Sequence, residues 1–215
     1  MRSLCSRFLV ILALAVGSFA APRQHTVAFG RWRVVKAAYN DDGRERQVRV
    51  RPLFIDGRLR EYTVGTPHDV TGVLFVIRRL RRVNDSLPGE AGDKPRWIWQ
   101  LDTWLSVNRL TGHIAQLNLP AFDPDSSQTS WYRDYAAYCG LSDGGDKMYM
   151  LVVQLGRRKP ILRKPFAGVS CAAPVWERNP SRVTFNVGSE KRSFVVHALG
   201  VSPETESDAG EEGPQ

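Results

Sequence analysis

Two short cationic runs are the residues of this chain whose type and spacing point most directly to chemistry. "RRLRR" (78–82) supplies Arg78, Arg79, Arg81 and Arg82, and "RRKPILRK" (157–164) supplies Arg157, Arg158, Lys159, Arg163 and Lys164. Guanidinium and ammonium groups at this density attract anions and pair with phosphate, sulfate or carboxylate oxygens. The matching ligands are an acidic glycan, lipopolysaccharide or another envelope polyanion. On an extended strand, Arg79 and Arg81 share one face, and Arg78, Leu80 and Arg82 share the other. Charge along a strand edge also discourages strand-to-strand association, which accounts for the same residues without any ligand. A shared site requires the two runs to meet on one surface. Base stacking calls for aromatic residues interleaved with the cations, and neither run has one.

Other chemistries find less support. His25, His68, His113 and His197 each lie far from any His, Cys or Glu at metal-ligand spacing, so no metal site is expected. "FDPDSS" (122–127) places Asp123, Asp125 and Ser127 at alternate positions, as a calcium loop would. It lacks the glycine and the distal glutamate of such a loop, and Asx turns use the same residues. "GVSC" (168–171) is a fragment of the serine-hydrolase elbow without its closing glycine. No phosphate loop and no dinucleotide fingerprint occurs, so no cofactor is expected. A carboxylate pair for hydrolysis could still be assembled from strands, with Asp102, Asp123 and Asp134 as its candidate members. Asn84-Asp85-Ser86 matches a glycosylation acceptor.

The compartment follows from the N-terminus. Arg2 and Arg7 precede and "FLVILALAV" (8–16) forms a nine-residue apolar run, and Ser18-Phe19-Ala20 supplies the small residues of a cleavage site. This reads as a secretory signal over residues 1–20, too short to span a bilayer. Secretion argues against nucleic acid as the natural ligand. Two cysteines follow the signal, Cys139 and Cys171. In an oxidising compartment one bridge is expected, with a catalytic thiol or a metal pair as the alternatives, and it would close a loop that stabilises by roughly 3–4 kcal/mol in the chain-entropy model.

The chain carries 30 basic and 22 acidic residues, net +8. The tail at 202–215 holds five acids, no base and almost nothing apolar, and is expected to be disordered. The body at 21–201 is left at net +11 and is expected to form a single β-rich domain. Hydrophobic residues are 42% of the chain, enough for a real core.

The elements that must carry these groups are strands. Apolar residues recur with period two almost throughout, as in "RQVRVRPLFI" (46–55), where Val48 and Val50 alternate with Arg49 and Arg51. Asp56-Gly57 joins two such runs as a two-residue hairpin, and Gly188-Ser189 marks another. Residues 70–85 favour a strand, with a helix over 75–83 as the alternative. "WLSVNRLTGHI" and "SDGGDKMYMLVV" resemble strand-turn-strand units of propeller blades, but no repeat of 40–50 residues supports a propeller. The expected fold is all-β, an antiparallel sandwich or stacked antiparallel sheets, with a small propeller-like or barrel arrangement as alternatives. "WYRDYAAYCG" (131–140) reads as a central strand from Tyr132. Ala136 and Tyr138 face one way, Ala137 and Cys139 the other, and the alanines leave room for a packed layer. The expected protein is non-catalytic and secreted, with a binding or structural role at the cell envelope or outside it. The alternative is a secreted hydrolase.

Overall fold

The computed structural model describes residues 24–39, 44–86, 95–142, 144–168, 171–197 and 200–203. Residues 1–20, read above as a signal, and residues 204–215 of the expected tail lie outside the described residues. All regular structure among the described residues is β, in fifteen strands: β1 (Val27–Phe29), β2 (Arg33–Tyr39), β3 (Arg44–Ile55), β4 (Arg58–Asp69), β5 (Leu74–Asn84), β6 (Trp97–Asn108), β7 (Ile114–Gln116), β8 (Ser130–Tyr132), β9 (Tyr135–Leu141), β10 (Met148–Gln154), β11 (Leu162–Phe166), β12 (Val175–Glu177), β13 (Arg182–Val187), β14 (Glu190–His197) and β15 (Gly200–Pro203). They form three sheets, as expected for stacked antiparallel layers.

The first sheet closes on itself. β2 through β6 form an antiparallel meander in which each strand pairs with the next, and β2 pairs back onto β6 through Ala37↔Trp99 and Ala38↔Gln100. The first and fifth strands of a meander run the same way, so this seam must be parallel, and it is. The Asp56-Gly57 hairpin forms as its sequence dictates, with both residues at positive φ (51° and 74°), the geometry that suits the twist of the flanking strands.

The long strands β3 to β6 carry two cores on opposite faces. Ala37, Val50 and Leu80, with Val35, Val48, Tyr62, Val64, Trp99 and Leu101, fill the inside of the ring. Leu53, Ile55, Phe75, Ile77, Leu105 and Val107 form a second cluster with Val27, Phe29 and Ile114 of β1 and β7. On β5, Phe75 and Ile77 are odd and Leu80 is even, so they point to opposite sides of the same strand. The inward face therefore changes partway along the strands. That change coincides with register shifts at Leu53/Phe54, Val64/His68 and Arg78/Leu80, where bulges sharpen twist and bending.

The other two sheets make a sandwich. β8–β11 and β12–β15 pack through Ala137, Cys139, Met150, Val152 and Phe166 against Val183, Phe185, Val187, Phe194 and Val196. The Cys139–Cys171 disulfide is present, with Cα atoms 6.2 Å apart, and ties β9 to the segment before β12. The opposite face of the β8–β11 sheet is covered as well. Ala136, Tyr138, Leu151 and Val153 pack with Leu119, Phe122, Trp131 and Trp104 of β6. β9 is thus buried on both sides, which explains its run of small residues.

Several expectations change. Arg133 and Asp134 are not part of a continuous strand from Tyr132. They form a two-residue turn with Tyr132↔Tyr135 as its closing pair and φ of 52° at Arg133. The proline-marked connection 157–168 contains β11, an edge strand in which Pro165 is tolerated because one side needs no ladder. The segment 171–181 contains β12. Ser202 and Pro203, assigned to the tail, pair with Val195 and Phe194. Residues 74–84 form the strand favoured from sequence, not the alternative helix.

Candidate functional site

The outer face of the ring is set by β3. Val48 and Val50 belong to the ring interior, so Arg49 and Arg51 must point outward. β2 pairs with β3 through Arg33↔Val50, which brings Trp32, just ahead of β2, over these two arginines. The Arg51 guanidinium lies 3.9 Å from the Phe29 ring centre and 4.5 Å from that of Trp32, and Arg49 lies 5.3 Å from Trp32 on the same face. The order is Phe29, Arg51, Trp32, Arg49: aromatic and cation in alternation. Each contact is worth about 0.5–1 kcal/mol at an exposed site, more when desolvated. Burial lowers the Arg51 pKa, and its Nε is buried without a hydrogen-bond partner. No carboxylate of the described residues pairs with Arg49 or Arg51. Trp32 remains 38% exposed and Val34, on the same face, 62%. Arg33 stacks over Tyr62 at 5.6 Å.

Two strands away on that face lies part of the first cationic run, through the cross-strand row Arg51↔Thr63↔Arg79. Arg79 is neutralised. Its Nε donates to Asp102 Oδ2 at 3.0 Å, its Nη2 lies 2.7 Å from the same oxygen and donates to Gln116 Oε1 at 3.2 Å, and its Nη1 is 3.7 Å from Glu61 Oε1. Arg81 shares Asp102 at 3.3 Å. Burial raises the Glu61 pKa, opposed by Arg79 and reinforced by the Asp102 charge. Two arginines and two carboxylates thus satisfy one another. Arg78 faces the other way, over Phe122 at 4.8 Å and Trp104 at 6.0 Å, and donates to the Pro124 carbonyl, joining the ring to the 117–124 segment. Arg82 is exposed and stacks over Trp97 and Trp99 at 5.4 and 5.6 Å.

The second run is divided. Arg157, Arg158 and Lys159 are exposed in the β10–β11 connection, where they border a cleft of about 150 Å³ with Gln116–Pro120. Arg163 stacks over Tyr149 at 4.4 Å and Lys164 over Phe194 at 5.6 Å, on opposite faces of β11. Gln116 touches both Arg79 and the cleft of the second run, so the two runs share a border along residues 116–119. They do not form one continuous cationic surface, because Asp102, which pairs with Arg79 and Arg81, lies at that border.

No family model matches this chain, and neither the curated proteins nor the solved structures include a match.

The three candidate carboxylates fall into separate networks. Asp102 holds Arg79 and Arg81 and lines a cleft of about 440 Å³ with Thr103, Gln116, Leu119 and Phe122. Asp123 Oδ1 accepts from the Asp125 and Ser126 amides at 3.0 and 2.6 Å, the Asx turn its sequence allows. Asp134 Oδ2 accepts from Gln154 Nε2 at 2.8 Å. His25 contacts Asp56 at 2.7 Å, His68 donates to the Arg133 carbonyl at 2.7 Å, and His197 contacts Ser202 at 3.0 Å. Sequence reasoning overlooked Trp32, Arg49 and Arg51. A signal was present, "RWR" (31–33) and "RVR" (49–51), but only the register of β2 on β3 brings the two together.

Proposed function

We propose that this is a secreted, non-catalytic binding protein whose ligand is a polyanion of the acidic-glycan class, taken up on the outer face of the ring around Trp32, Arg49 and Arg51. The observation that carries this reading is the alternating Phe29–Arg51–Trp32–Arg49 stack, whose two cations have no carboxylate partner among the described residues. A sugar ring presents an apolar C–H face to an exposed indole, while its sulfate or carboxylate groups pair with guanidinium donors. Charge supports the same location. Between Val27 and Asn84 the sequence has thirteen Lys and Arg against six Asp and Glu, so most of the body's excess of positive charge belongs to these strands. The disulfide is compatible with an oxidising compartment.

The test is binding to heparin, with a single-stranded oligonucleotide as comparator. Trp32→Ala should weaken heparin binding about tenfold, as loss of a stacking contact of 1–3 kcal/mol implies. Arg158→Ala/Lys159→Ala should change it less. Equal losses in both variants would move the site to the second run, and preference for the oligonucleotide would change the ligand class.

The hydrolase alternative has Asp102 at the wall of the larger cleft, with Glu61 sharing Arg79. The paired arginines favour a structural network over a general acid and base.

A further inference from the structure

We propose that Asn84 carries an N-linked glycan whose first sugar packs on Trp97; the proposal rests on the secretion part of the function proposed above. Asn84 is the last residue of β5 and is exposed. It begins the triplet Asn84-Asp85-Ser86, an acceptor sequence for N-glycosylation. A second such triplet by composition, Asn179-Pro180-Ser181, has proline in the middle, which the acceptor rule excludes. Ser86 is folded back on the acceptor: its hydroxyl donates to Asn84 Oδ1 at 2.9 Å and its amide to the same oxygen at 3.2 Å. The carboxamide oxygen is thereby engaged, and Nδ2, the atom that would be modified, has no hydrogen-bond partner among the described residues.

Trp97 is a separate observation that points to the same place. It is the direct cross-strand partner of Asn84, so their Cβ atoms lie roughly 4.5–5.5 Å apart on one face of the sheet. Trp97 is 53% exposed, among the most exposed large hydrophobic residues described, with Arg82 stacked over its ring. A sugar attached to Asn84 would lie over this indole and remove apolar area from water.

The chemistry needs a lipid-pyrophosphate-linked oligosaccharide and its transferase, both found in the lumen of a eukaryotic secretory pathway. Asn84 Nδ2 bonds to the anomeric carbon of the first sugar, the bond from that carbon to the pyrophosphate oxygen breaks, and one amide proton is released to a base. Nothing is oxidised or reduced.

The experiment is expression of the full chain in a eukaryotic secretory cell. Intact mass and the mass of the peptide containing residue 84 are measured before and after treatment with a glycan-releasing amidase. The expected result is loss of a whole number of sugar units from secreted protein, with Asn84 converted to Asp. Asn84→Gln and Ser86→Ala should each abolish the increment, and Ser86→Thr should keep it. For the packing, removal of the glycan should lower Tm in the parent but not in Trp97→Ala, which remains glycosylated. Secreted protein with an unmodified residue 84 overturns the proposal while leaving secretion intact. Retention of the whole chain inside the cell overturns the secretion reading and the proposal with it. An unchanged Tm in the parent, or an equal fall in Trp97→Ala, overturns the packing on Trp97.

Discussion

Arginine serves two ends on the outer face of the ring, and carboxylates separate them. Arg79 and Arg81 are held by Asp102 and Glu61, whereas Arg49 and Arg51 are held by aromatic rings, which leave the positive charge uncancelled. Glu61 reports on the first group. Its folded pKa is raised by burial, so its protonated form favours folding. That contribution is complete below the ordinary glutamate value of 4.5 and is lost as pH rises through the folded value. Glu61→Gln stays neutral throughout. Its Tm relative to the parent should therefore rise between about pH 4 and pH 7. Paired thermal melts across that range check it; a flat or falling difference would mean that the Arg79 ion pair outweighs burial.

At the scale of elements, legibility depended on whether the signal was local. Asp56-Gly57 could be read as a hairpin because the turn itself demands those residues. The Arg133-Asp134 turn could not, because Arg133 adopts positive φ without glycine or asparagine to announce it. β11 was concealed by its own edge chemistry, since proline and cations also mark loops. The parity of Ala136, Ala137, Tyr138 and Cys139 was read correctly, but burial of both faces depends on the 117–122 segment, which no local pattern ties to β9. Gly140 measures how tight that second layer is. A Cβ at this position would overlap the Ala121 carbonyl oxygen and Leu151 Cδ1, and the same carbonyl accepts from the Leu141 amide at 2.8 Å. Gly140→Ala should destabilise by about 1–3 kcal/mol through overpacking. Denaturant unfolding checks this, and a change under a few tenths would mean the layer yields freely.

For the whole molecule, the all-β class, the stacked sheets and, as an alternative, a barrel could be read from apolar period and turn chemistry, while the strands that close the ring and the change of inward face could not. Both depend on long-range pairing: the β2–β6 seam joins residues some sixty positions apart through two registered pairs. The same limit applied to the site. Counting cations along the chain picks out 78–82 and 157–164. Folding neutralises much of the first, divides the second, and gathers Arg49 and Arg51 around Trp32. The function proposed for this gathered surface is electrostatic binding of a polyanion. Its most direct test is the salt dependence of heparin binding in the parent, in Arg49→Ala and in Arg157→Ala/Arg158→Ala. Affinity should fall linearly on a log-log plot, with a slope reduced by about one in Arg49→Ala and a smaller change in the double variant. Binding indifferent to salt, or a slope untouched by Arg49→Ala, would contradict it.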